Sequence, residues 1–373
     1  MKNPLKQSRI RRSAAAILLA AAVAANGSSG TTAGAEAVEI TGDVEPIDLA
    51  VLVGFTGVRF TQDIISGAEW AAEDLGPIDL TIGGFTTPDD IIGAQQQVVN
   101  MLEQQPDGIA VSPFPPELWQ ATLEDTTARL DNTLVLTGKP VAEVDQVDES
   151  PVRTFVGAND TEVGRAAMRA LVEAAGLGPD TTGVALLGQC LPGDSGTLYD
   201  RTVGFTEVIA ELLPSVEARV FDSKPLQQDN TNAWEAALLQ TPDPVLAIGT
   251  CGQDGVSLYN LKQRLGGDFP IGAVDSPETL GGYADGTIQA AVVVNWWLEG
   301  YAAVRLLADT ARGGEPSEGF FDAGFVVVSD ENVDGLIARD ASAEASAEWY
   351  ATQIDEIWSD IDAFMQPMAE AWR

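Results

Sequence analysis

From residue 47 onward, short apolar runs alternate with longer segments whose apolar residues recur every three or four positions. The runs at 47–55 (IDLAVLVGF), 78–85 (IDLTIGGF), 108–114 (GIAVSPF), 133–139 (TLVLTGK) and 153–159 (RTFVGAN) read as strands. Between the first four lie helical patterns at 60–76, 88–105 and 116–130. The second of these opens with Pro88 and acidic residues, which suit a helix start. The alternation then restarts. Strands at 183–189, 216–223, 244–250 and 270–276 are separated by helices at 196–213, 230–240 and 254–266, with a further helix at 161–176 leading in. Two successive strand–helix series predict an α/β protein of two doubly wound, parallel-sheet lobes. Continuous apolar strands such as LAVLV and VALL fit sheets covered by helices on both faces.

The last third breaks this rhythm. A strand is expected at 288–295, a long helix at 296–314 and one more strand at 320–332. From residue 341 the chain reads as an amphipathic helix, with Trp349, Ile354, Ile357, Trp358, Ile361, Phe364 and Met365 in one stripe that packs on the body of the protein. The expected organisation is a first lobe of 47–158 plus 295–319, a second lobe of 159–294 plus 320–332, and a C-terminal helical extension over 333–373.

The first 46 residues are not part of this pattern. Lys2, Lys6, Arg9, Arg11 and Arg12 precede a short apolar run at 14–25, the make-up of a secretory signal and too short for a comfortable membrane span. Residues 1–26 are therefore expected to be a cleaved signal peptide and 27–46 a flexible leader. Asn26 stands where a lipoprotein signal carries cysteine, so no lipid is attached there. Losing the five basic residues moves the net charge from −36 to −41. So acidic a surface repels phosphates and argues against nucleic acid and anionic lipid as partners. The chain has no histidine, which removes Ser-His and Cys-His catalysis and most zinc sites. No calcium loop of the D-x-D-x-D-G type is present. No metal, cofactor or catalytic residue is expected.

In open parallel sheets, ligands bind at the carboxyl ends of the strands. Here those ends carry residues 54–60 (GFTGVRF), Thr86-Thr87-Pro88, Ser112-Pro113-Phe114 and Gly138-Lys139 in the first lobe. In the second they carry Gln189-Cys190, Thr250-Cys251 and Asp275-Ser276. The first loop lacks the glycine spacing and the lysine of a phosphate cradle. Aromatic rings among amides, hydroxyls and carboxylates suit a small polar ligand with a stackable face.

The ordered segments FTQDIISGAEWAAEDLG, PDGIAVSP, VGANDTEVGR, DRTVGF, PIGAVDSPET and ADGTIQAAV run through most of the chain, from about residue 47 to 332. In them the sequence resembles a type I periplasmic substrate-binding protein, the ribose-binding-like group that serves ABC sugar importers. The resemblance implies two lobes joined by a three-segment hinge near 157–160, 293–296 and 319–322, closing on one small molecule that is handed to an ABC permease. It implies a monomer without enzymatic activity. It places Phe60 on the family's ligand-stacking aromatic position, Arg201 on its ligand-binding arginine and Asp275 on its ligand-binding carboxylate. Asn159 and Asp160 fall on polar positions near the hinge, and Asn295 lies one step from the hinge glutamine. Phe114, Lys139, Gln189 and Thr250 are further candidates from their strand-end places. Val58, Thr250-Cys251 and Val294 depart from the family pattern, which leaves open the ligand within the sugar and polyol class.

Each candidate also has a purely structural reading. Phe60 can staple the following helix, Arg201 can form a salt bridge, and Asp275 can cap the next helix. Trp296 and Trp297 read as hinge core, with one of them able to line the cleft, and Trp119 and Trp234 read as buried. Cys190 and Cys251 end strands that are neighbours in a doubly wound sheet, and in an oxidising compartment they are expected to form a disulfide. Two other functions fit the same fold: a receptor feeding a sensor kinase or chemoreceptor, and a glycosidase built on carboxylates such as Asp160 and Asp275.

Overall fold

The computed structural model describes residues 45–372 except 86, 88, 89, 192, 194, 195 and 276. The expected signal peptide, the expected leader up to residue 44, and the strand-end residues Thr86, Pro88 and Ser276 lie outside the described residues. The chain begins with β1 (Ile47–Phe55), α1 (Arg59–Asp74), β2 (Ile78–Phe85), α2 (Ile91–Glu103) and β3 (Gly108–Val111). It continues with α3 (Gln120–Arg129), β4 (Thr133–Leu136) and β5 (Thr154–Gly157). These strands pair in parallel in the order β5-β4-β3-β1-β2. β1 and β3 are apolar almost throughout and buried, as strands covered on both faces must be.

The chain then crosses to the second lobe. There it forms α4 (Asp160–Ala174), β6 (Gly183–Gln189), α5 (Thr197–Leu212), β7 (Val216–Asp222), α6 (Gln227–Gln240) and β8 (Leu246–Gly249). α7 (Gly252–Leu265), β9 (Gly272–Val274), α8 (Pro277–Ala284) and β10 (Ala290–Val294) follow. β7-β6-β8 form one parallel ribbon, and a parallel bridge between Ala247 and Ile271 carries it on to β9 and β10. α9 (Trp296–Ala311) returns to pack on α1 and the first sheet.

The strand expected at 320–332 is in fact two. β11 (Gly319–Asp322) joins the first sheet beside β5, and β12 (Phe325–Val327) joins the second, antiparallel to β10. Gly324, at φ +70°, lets the backbone turn between them. The third crossing therefore lies at Ala323–Gly324 rather than at 319–322, and β11 belongs to the first lobe. The three crossings are bonded side by side. Ala323 N–H donates to the Gly157 carbonyl at 2.8 Å, and Asn295 N–H donates to that of Gly324 at 3.2 Å.

Beyond β12 come α10 (Val333–Arg339) and α11 (Ala343–Ser359), the latter capped by the Ser342 hydroxyl, which accepts from Ala345 N–H. Ile354, Ile357, Trp358, Ile361 and Met365 of the predicted stripe pack on the core, whereas Trp349 and Phe364 are exposed. The helix ends at Ser359, and the remaining chain adds β13 (Met365–Gln366) antiparallel to β11, followed by a 3-10 turn over Met368–Trp372. All of these elements belong to one compact unit, Val44–Arg373.

Candidate functional site

The carboxyl ends of both sheets face a cavity of about 100 Å³. Gly54 and Phe55 reach it from the end of β1, Ser112, Phe114, Thr137 and Gly138 from the loops after β3 and β4, and Val58 and Phe60 from the start of α1. The second lobe contributes Cys190, Leu191, Thr250, Cys251 and Asp275 from the ends of β6, β8 and β9, and Thr197, Leu198 and Arg201 from α5. Trp296, the first residue of α9 after the hinge, completes the wall.

Arg201 is the charged centre. It is held by the close packing of α4 on α5: a Cβ on Gly164 would strike the Arg201 carbonyl, and one on Gly204 that of Thr161. That approach brings Asp160, at the start of α4, against Arg201. Arg201 Nε donates to Asp160 Oδ1 at 2.9 Å, and Nη1 donates to the Thr250 carbonyl at 2.9 Å and to Asp275 Oδ2. Burial by itself would loosen the arginine's proton, but Asp275 and Asp160 more than offset this and hold it above its ordinary value. Burial pushes the Asp275 carboxyl up, against the pull of Arg201. Asp275 sits in the left-handed region at φ +60°, a conformation Asp tolerates, and its Oδ1 accepts from Val294 N–H at 3.2 Å.

Several buried polar atoms on this wall have no hydrogen-bond partner among the described residues: the hydroxyls of Ser112, Thr197 and Thr250, Arg201 Nη2 and Trp296 Nε1. Buried polar atoms are otherwise almost always paired, so this concentration marks where a bound molecule would be gripped.

Of the residues singled out from sequence, Phe60, Phe114, Arg201, Thr250 and Asp275 line the cavity. Phe60 does so while packing on Trp296, ring centroids 5.0 Å apart, so its ligand-facing and core roles coincide. The other five do not line it, each for a specific reason. Asp160 is spent on Arg201 behind the wall. Gln189 turns its amide to the carbonyls of Leu191 and Gly193 and shapes the loop after β6. Lys139 is fully buried, paired with Asp200 and donating to the Ala371 carbonyl at 2.8 Å, with its ammonium 4.7 Å from the Trp372 ring. Asn159 caps α4, accepting from Glu162 N–H, and its Nδ2 donates to the Glu370 carbonyl at 2.9 Å. Asn295 bridges the hinge, donating to the Ala323 carbonyl at 2.8 Å and accepting from the Tyr350 hydroxyl at 2.9 Å.

Trp296, one residue beyond Asn295, is buried in the core and also lines the cavity. Trp297 is buried and stacks between Tyr301 and Tyr350. Trp119 and Trp234 are also buried. Phe85, Leu198 and Pro225 line the wall without being singled out by the sequence, and Phe55 is named there only as part of the strand-end stretch 54–60. Phe55 and Phe85 close their strands, and that position was their available signal. Cys190 and Cys251 form a disulfide across the ends of the neighbouring strands β6 and β8, with Cα atoms 6.2 Å apart.

Comparison with known proteins places this architecture. The sequence model of the periplasmic binding protein domain matches residues 49–315. The chain belongs to that family. No curated protein matches it in sequence. A carbohydrate transporter solute-binding protein from Agrobacterium radiobacter, solved with D-arabinose, superposes with a TM-score of 0.69 at 19% identity, covering 78% of this chain and 99% of its own. A solute-binding protein from Bacillus halodurans, solved with myo-inositol, gives 0.69 at 17% identity over 80% of this chain and 100% of its own. One from Mycobacterium smegmatis, solved with glycerol, gives 0.67 at 21% over 79% and 97%. At these identities the likeness is one of fold.

Proposed function

We propose that the protein is an exported solute-binding protein that captures one small, uncharged sugar or polyol between its lobes and delivers it to an ABC permease. The observation that carries this reading is the cavity walled by strand ends from both lobes and studded with unpartnered hydrogen-bonding atoms. The bound molecules of the structural neighbours, D-arabinose, myo-inositol and glycerol among them, support the same ligand class. Asp160 and Asp275 share one guanidinium, an arrangement that favours holding a site together over glycoside hydrolysis. Hinge bending at 157–160, 293–296 and 323–324 would open the cavity, and closure would bury the ligand. The ligand-free chain works as a monomer with no cofactor, behind a cleaved signal.

A thermal-shift panel of pentoses, hexoses and polyols tests this, because a ligand that binds only the folded state raises the melting temperature. At least one member at a hundred times its dissociation constant should stabilise the fold by about 2.7 kcal/mol. A flat response across the whole panel would remove the sugar and polyol assignment.

A further inference from the structure

The cavity wall is lopsided in chemistry. Phe55, Phe60, Phe85, Phe114 and Trp296 surround it with rings, and Val58 and Leu198 extend the apolar surface. The unpartnered polar atoms are confined to a few residues, and two of them, Arg201 Nη2 and Trp296 Nε1, can only donate. Those two lie together, with the Arg201 guanidinium 5.7 Å from the Trp296 ring centroid. Asp275, the one carboxylate among the described residues of the wall, directs one oxygen to Arg201 and the other to Val294 N–H. The fixed donors of Arg201 and Trp296 therefore ask for acceptor oxygens along one edge of a ligand, while the hydroxyls of Ser112, Thr197 and Thr250 can turn to donate or accept. The rings ask for an apolar remainder, since a hydroxyl buried against them would lose its water without gaining a partner. Arg201 with Asp160 and Asp275 leaves one negative charge in excess, which disfavours an anion.

We infer that the ligand is an oxygen-poor member of the proposed class: a deoxygenated sugar or anhydropolyol, with oxygens on one edge and an otherwise apolar body. This rests on the solute-binding reading above and sharpens it. Val58 and Phe114 act as specificity residues that turn away more heavily hydroxylated sugars.

Calorimetric titration of the chain with matched pairs tests it: D-galactose against its 6-deoxy form D-fucose, D-glucose against its 6-deoxy form, and D-glucose against 1,5-anhydroglucitol. The deoxygenated member should bind about tenfold tighter or better in the pair that binds, within what an apolar pocket achieves against one added hydroxyl. Val58→Asn, at a helix N-cap position where Asn is also favoured, should narrow or reverse that preference, as should Phe114→Asn. If the hydroxyl-rich parent binds as tightly or more tightly in every pair that binds, the inference is overturned while the solute-binding reading stands. If no member of any pair binds, the inference is overturned, and the solute-binding reading is decided separately by the thermal-shift panel of pentoses, hexoses and polyols.

Discussion

Glu299 sits on the first turn of α9 with no access to solvent. Its Oε2 accepts from the Thr137 hydroxyl at 2.8 Å, and its Oε1 has no partner. Burial drives its carboxyl well above the ordinary range. Asp160 and Asp275 push the same way, and Thr137 and Arg201 pull only partly back. A carboxyl raised in the folded state stabilises the fold fully below its unfolded value, and that contribution is lost as pH rises through the folded one. Glu299→Gln keeps an acceptor for Thr137 and cannot ionise. It should melt with the wild type at pH 4 and above it at pH 8; a variant that melts lower at both would contradict the neutral-carboxyl account. Thr137 itself is a β-branched residue in the left-handed region, at φ +64°, on the cavity wall. Strain of that kind is tolerated where a surrounding structure fixes it. Neither feature is visible in the sequence, where Glu299 reads only as a helix residue after two tryptophans.

At the level of elements, the strands and helices of both lobes were legible because their apolar periodicities are long and clean. The segment 320–332 reads as one strand because apolar residues flank Asp322-Ala323-Gly324 on both sides; the break there comes from pairing with two different sheets. The end of the chain was legible only as far as α11. Past Ser359 the elements are a two-residue strand and short 3-10 turns, held by tertiary contacts rather than by any local pattern. Those contacts also explain why Lys139 and Asn159 misled: each has a strand-end or hinge position, but its polar atoms go to the carbonyls of Ala371 and Glu370. Deleting residues 360–373 strips the edge from β11 and leaves buried Lys139 with Asp200 as its remaining ion-pair partner. Loss of a partner to a buried charge is costly, so the thermal midpoint should drop by roughly 5–10 °C. An unchanged midpoint would mean that the tail is not part of the fold's support.

For the molecule as a whole, topology does the positioning. Parallel sheets in each lobe send every strand's carboxyl end toward the same cleft, so knowing the strand ends located half of the proposed site residues. What sequence could not supply was direction: whether a polar side chain at a strand end turns to the cavity, as Thr250 does, or back to a carbonyl, as Gln189 does. That choice is made by neighbours far along the chain. The central claim is that both lobes grip one ligand. Isothermal titration of the tightest-binding monosaccharide or polyol into the wild type, Ser112→Ala of the first lobe and Thr250→Val of the second tests it most directly. Each substitution removes one buried, unpartnered hydroxyl and leaves no charge exposed. The account predicts one ligand per chain and about a tenfold weaker affinity in each variant, the worth of one hydrogen bond of about 1–1.5 kcal/mol. Binding that is untouched by either substitution, or a stoichiometry other than one, would contradict it.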